Sequence, residues 1–135
     1  HAQLALKIRR DLAAGEQPVL LLSGGELTVT RRGNGVGGPN AEYALALACE
    51  LNGADGIHAI ACDTDGVDGA AEVAGAVIGP QTLQLARSNG QDAELFLARN
   101  DSHTFFGLIK SQVVTGPTLT NVNDFRAILI TSPSK

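Results

Sequence analysis

At 135 residues the chain has the length of about one domain. It is 44% hydrophobic and 18% charged, which excludes a disordered segment, and only 4% aromatic, so a core must be built from Leu, Val, Ile and Ala. A net charge of −4 excludes the basic footprint of a nucleic-acid-binding domain, and no apolar run approaches the roughly 18 residues of a membrane span.

Residues 3–14, with Leu4, Leu6, Ile8 and Leu12, predict a short amphipathic helix ending at Gly15. Pro18-Val-Leu-Leu-Leu-Ser23 is a continuous apolar run of the kind found in buried strands, and Gly24-Gly25 turns the chain. Residues 26–30 alternate and are rich in β-branched side chains, which predicts a second strand. A glycine-dense loop, Gly33-Asn-Gly-Val-Gly-Gly38, leads to Pro39, a helix-starting residue, and to a helix running through Ala44, Leu47 and Leu51 to Gly53. Residues 56–62 predict a buried strand, residues 70–76 an Ala-rich helix, and Pro80 a helix that stops at Gly90. One or two short helices fit residues 93–106, capped by Asp92 and by Asp101 or Ser102. Val113-Val114 and residues 125–131 are the last strands. Strands alternating with helices predict a single α/β layered domain, residues 1–135, with a mixed, largely parallel sheet flanked by helices.

Cys49 and Cys62 lie in apolar runs without CxxC spacing, the pattern of buried, reduced thiols in a cytoplasmic protein. The chain opens on His1, contains no Met and has no signal-peptide pattern, so the expectation is a fragment or a processed chain.

The polar residues collect at four strand ends. Gly24-Gly25-Glu26 follows the first strand. The glycine loop, with Asn40 and Glu42 beyond it, lets backbone approach an anion and adopt positive φ, while the helix at Pro39 directs its free N–H groups and positive dipole end at the same place. Asp63, Asp65 and Asp68 put three carboxylates into six residues, a density that suits Mg²⁺, which takes one or two carboxylates plus waters and substrate phosphates. A solvated turn would use the same residues. Residues 115–124 pack three threonines, two asparagines and an aspartate between strands, groups that hold a hydroxy acid or phosphate without adding much charge, or that build Asx-turns. Ligands in open α/β sheets sit outside strand ends, so all four segments are expected to share one crevice. His58 and His103 read as packing or surface residues.

Gly33-x-Gly35-x-x-Gly38 also satisfies the GxGxxG dinucleotide pattern. Arg31 and Arg32 separate the strand from the first glycine, and Asp63 lies 30 residues beyond Gly33, farther than that pattern usually places its acidic residue.

Several strings occur together in order: Ser23-Gly-Gly-Glu26, then Gly33-x-Gly-x-Gly-Gly38-x-Asn40-x-Glu42, then Thr64-Asp-Gly-x-Asp-Gly69, then Asn100-Asp-Ser102, then Thr115-Gly-Pro-Thr-x-Thr-Asn-Val-Asn-Asp124. Across residues 18–130 the chain resembles the MOFRL domain of type-II glycerate kinases, a family also named hydroxypyruvate reductases. The resemblance implies ATP- and Mg²⁺-dependent phosphorylation of D-glycerate, generally at the 2-hydroxyl, in a cleft shared with a larger amino-terminal domain. Carried over by position, Asp65, Asp68 and Glu26 would be catalytic, with Asp65 and Asp68 holding the metal. Gly24, Gly25, Gly33, Gly35, Gly37, Gly38, Asn40, Glu42, Thr118, Thr120, Asn121 and Asn123 would bind substrate or nucleotide. Many members carry Arg where this chain has Val36 and Pro39, and Arg31 or Arg32 is the candidate replacement. Two alternatives stand beside this reading. One is an NAD(P)-dependent hydroxypyruvate reductase; the other is a noncatalytic binding or dimerisation module, with homodimerisation left open.

Overall fold

The computed structural model describes residues 1–134. Its elements are helix α1 (Ala2–Asp11), strand β1 (Val19–Gly25), α2 (Pro39–Leu51), β2 (Ile57–Asp63), β3 (Gly75–Ile78), α3 (Thr82–Ser88), α4 (Ala93–Ala98), α5 (Ser102–Leu108), β4 (Gln112–Val113) and β5 (Asp124–Ile130). The strands form one sheet in the order β1-β5-β2-β3-β4.

Every neighbouring pair in this sheet is antiparallel, which corrects the largely parallel expectation. The cause is β5. The β1–α2–β2 stretch does bring β1 and β2 round to the same direction, as a strand–helix–strand unit should. The last strand then inserts between them and runs the opposite way, with Gly25 and Asp63 both facing Asp124 across the ladder.

Two further expectations fail for local reasons. Residues 26–30 are not a strand, because β5 begins only at Asp124 and no ladder partner extends farther; the Leu27 N–H goes instead to the Asp124 carboxylate at 2.5 Å. Residues 70–76 are not a helix. A turn closes between Asp68 and Ala71, Gly69 takes φ 68°, and the chain re-enters the sheet as β3.

α2 is the central helix. Pro39 starts it, Asn52 ends it in the left-handed conformation, and Ala41, Ala44, Leu45, Leu47, Ala48 and Leu51 are buried. These residues pack on Ile57 and Ala61 of β2, Ala76 and Ile78 of β3, and Ile128 and Ile130 of β5. Phe105 and Phe106 of α5 complete the core, edge to face at 5.1 Å between centroids. α1 packs on α2 and β5, and α3, α4 and α5 all pack on α2. No helix of the structure is long and apolar enough to cross a membrane.

Candidate functional site

β1 and β2 end, and β5 begins, on one rim of the sheet, so the chain has to bring the loops at 24–27, 63–69 and 115–123 together there. Hydrogen bonds tie the aspartate loop to the threonine–asparagine loop. The Thr64 N–H donates to the Asn123 carbonyl at 3.0 Å, Thr118 Oγ1 donates to the Thr64 carbonyl at 2.5 Å, and the Thr118 N–H reaches the Asp65 carbonyl at 3.3 Å. Asn121 Nδ2 points at Asp65 Oδ2 from 3.4 Å. Gly66 makes the contact feasible: it holds φ 93°, and a Cβ there would overlap the Gly116 carbonyl. Glu26 stands exposed one residue beyond Gly25, whose φ of 102° turns the chain out of the sheet. Thr120, Asn121 and Asn123 are exposed.

Beneath this rim runs a buried polar spine. Asp68 is 1% exposed, and its two carboxylate oxygens accept the backbone N–H groups of Asn40 and Ala41, each at 2.9 Å. The anion at the start of α2 is therefore the protein's own carboxylate, and the expectation that this helix end greets a ligand directly is corrected. Both oxygens of Asp68, an expected metal ligand, are thus hydrogen-bonded within the fold. Its Oδ2 also lies 3.2 Å from His103 Nε2. Asn40 Nδ2 bridges Asp68 Oδ1 at 3.2 Å and Asp124 Oδ1 at 2.7 Å. Arg126 is buried beside Asp124, donates to Ser23 Oγ at 3.0 Å and the Gly24 carbonyl at 2.6 Å, and stacks over Tyr43 at 5.5 Å.

The glycine loop also differs from expectation. Gly33, Gly35, Gly37 and Gly38 are absent from the positive-φ positions of the described residues. They are glycine because protein backbone presses on them: a Cβ would strike Arg99 at Gly33, Asp101 at Gly35, Asn100 and Glu42 at Gly37, and Asp68 at Gly38. Asn100 Oδ1 accepts from the N–H groups of Arg32 and Gly33 at 2.7 and 2.9 Å, and Asp101 Oδ1 from Val36 at 2.8 Å. Glu42 is buried with Oε1 3.3 Å from the Ser102 N–H at the start of α5. The Asn100-Asp-Ser102 string thus anchors the glycine loop. Between loop and helix lies a cavity of about 160 Å³ lined by Arg31, Gly37, Gly38, Pro39 and Glu42 among others. Arg31, which reaches the Gly35 carbonyl at 2.7 Å, is the cation of this cavity.

Sequence reasoning quoted Asn100 and Asp124 only within the family strings, without a role, read His103 as packing or surface, and passed over Arg126, yet all four belong to the site's framework. A histidine, an acid and an arginine each placed within apolar neighbours (Phe105-Phe106, Phe125, Ala127-Ile128) were the available signal.

The titration behaviour of the rim follows from burial and like charge. Burial, followed by the neighbouring Asp65 and Asp124 carboxylates, raises the Asp63 carboxyl above the ordinary aspartate value. For His103, burial alone would lower the imidazole; the hydrogen bond and charge of Asp68, with a smaller effect of Glu42, outweigh it and leave the net shift upward. Burial, followed by nearby acids, pushes the Cys49 thiol to about 11 and raises Cys62 as well, so neither is a reactive thiolate at neutral pH. No cluster of three or more His, Cys, Asp or Glu side chains suited to a metal occurs among the described residues. A divalent ion here would rest on the Asp63–Asp65 pair and oxygens of a ligand.

The fold and rim define an α/β domain that gathers carboxylates, amides and hydroxyls from distant loops at the ends of its central strands. Comparison with known proteins makes the class specific. The MOFRL family model matches residues 19–124, and the chain belongs to that family. A D-glycerate 2-kinase of Thermotoga maritima is 38% identical over 109 residues, 81% of this chain and 26% of that protein. A protein of Agrobacterium vitis bearing a hydroxypyruvate reductase name is 53% identical over 115 residues, 84% of this chain and 30% of that protein. The crystal structure of a Thermotoga maritima glycerate kinase superimposes with a TM-score of 0.90 at 35% identity, covering 96% of this chain and 31% of that one. The chain thus spans less than a third of the length of these relatives.

Proposed function

We propose that the chain is the carboxy-terminal domain of a cytoplasmic glycerate kinase that uses ATP and Mg²⁺ to phosphorylate D-glycerate, giving 2-phosphoglycerate. The cleft would be shared with an amino-terminal domain of the same polypeptide. The observation that carries this reading is the contact between the 63–69 and 115–123 loops, in which Asn121 Nδ2 lies 3.4 Å from Asp65 Oδ2 while Thr118 and Asn123 are hydrogen-bonded to Thr64. The kinase names of the Thermotoga relatives support it.

Phosphoryl transfer depends on positioning and on charge stabilisation more than on covalent chemistry. What supports magnesium at the rim is the chemistry of the donors: Asp63 and Asp65 offer hard carboxylate oxygens two residues apart, with Asn121 3.4 Å from Asp65. Magnesium bound with the nucleotide phosphates would neutralise the charge of the transferring group. Asp65, with Asp63, would hold it. Arg31, at the mouth of the glycine-loop cavity, would grip a phosphate or the glycerate carboxylate, in the role that arginines at positions 36 and 39 would have. Glu26, Thr120, Asn121 and Asn123 would meet substrate or nucleotide from the exposed side of the rim, with Gly24 and Gly25 keeping that approach open. Asn40, Glu42, Asp68 and the glycine loop act behind them by fixing the backbone.

The reductase reading has the name of the Agrobacterium relative in its favour. The geometry weighs against a pyrophosphate on the GxGxxG loop, since its glycines are packed on residues 99–102 and the first α2 N–H groups are taken by Asp68. The test is the full-length protein with ATP, Mg²⁺ and D-glycerate, the product identified by ³¹P NMR. The expected result is 2-phosphoglycerate. Tight NADH binding without phosphoryl transfer would overturn the proposal.

A further inference from the structure

The sheet has two apolar faces, and the helices cover one. Register places Leu20 and Leu22 of β1, His58 and Ile60 of β2, and Phe125 and Leu129 of β5 on the other, together with Val77 of β3. Leu20 is 54% and Leu22 63% exposed, and Val77, Phe125 and Leu129 are each about 40% exposed. Among the described residues, no Asp, Glu, Lys or Arg of β1, β2, β3 or β5 points to this face. A concavity of about 770 Å³ also lies here, between the sheet and Leu85 of α3.

A water-facing side of an antiparallel sheet alternates polar residues with the buried ones, whereas a strand covered on both sides reads as an unbroken apolar run. Val19-Leu-Leu-Leu22 is such a run. A contiguous apolar patch of this kind marks a surface meant to be covered.

We propose that this face is the docking surface for the remainder of the polypeptide, which lays an apolar layer across β1, β5 and β2 and turns two layers into three. The occupant follows from chain length: in the Thermotoga kinase structure the matched segment is 31% of the chain, so more than twice this domain's mass belongs to the same molecule. The face also meets the rim at Gly24 and Phe125, so a body docked on it borders the loops of the candidate site. The inference rests on the partner domain of the proposed function and not on its chemistry; a failed kinase assay would leave it standing.

The test is thiol labelling of the full-length protein with a maleimide, read site by site by peptide mass spectrometry, in Leu22→Cys, Val77→Cys, Leu129→Cys and the exposed control Lys7→Cys. Positions 22, 77 and 129 are expected to label at least tenfold more slowly than position 7, with rates unchanged on dilution. Labelling at the rate of position 7 in any two of the three folded variants would overturn the proposal. So would protection that disappears on dilution together with a halving of mass, which assigns the face to a second copy of the chain. Three positions keep the test decisive if one variant does not fold.

Discussion

Asp65 and Asp68 are three residues apart and chemically identical, yet the fold uses them in opposite ways. Asp65 lies at the rim, with one oxygen on the Val67 N–H at 2.8 Å and the other facing Asn121. Asp68 is sealed beneath it, caps α2 and meets His103. Asp68→Asn keeps the volume but removes the charge and an acceptor, so it should cost about 2 kcal/mol, within the range for hydrogen bonds to charged groups. Urea unfolding of the full-length protein measures this, and Asp65→Asn should move the same midpoint by much less. His103 adds a pH signature. Its folded-state value is raised, so the stability of its pairing with Asp68 is complete below the unfolded value of about 6.5 and is lost as pH rises through the folded value. The unfolding temperature of the wild type should fall between neutral and mildly alkaline pH, and His103→Gln should flatten that slope.

At the scale of elements, the glycine loop is held by its neighbours more than by itself. Asn100 takes φ 53° and offers one oxygen to two backbone N–H groups of the loop. Asn100→Ala should leave both donors without that acceptor, and amide hydrogen exchange in residues 31–38 should accelerate at least tenfold while α2 stays protected. The loop also shows which parts of the molecule were legible in the sequence. Helices bounded by Pro39 and Gly53 or by Asp92 announced themselves, because caps are local chemistry. The glycines announced close approach, but not to what: a string cannot say that Arg99 and Asp101 press on them. The sheet direction was misread for a related reason. Residues 18–62 have the pattern of a parallel strand–helix–strand unit, and only the final strand, 60 or so residues later, decides that the two strands are not neighbours. Residues 26–30 had strand propensity and no partner to pair with. The rim's composition was readable; the division of its carboxylates into open and buried was not, since that depends on which loop lands over the start of α2.

At the scale of the whole molecule, the domain presents an exposed polar rim and an exposed apolar sheet face, and spans less than a third of its relatives. The 135 residues alone should therefore show no phosphorylation of D-glycerate above background under conditions in which the full-length protein turns over, a comparison made with a coupled ADP assay. We propose that the joined 63–69 and 115–123 loops form a working part of a phosphotransfer site, and the turnover of full-length Asp65→Asn with ATP, Mg²⁺ and D-glycerate tests this. The expected result is a fall of about a hundredfold in kcat, equivalent to ~2.7 kcal/mol of lost transition-state stabilisation, with the unfolding midpoint nearly unchanged. Wild-type turnover in that variant would contradict it.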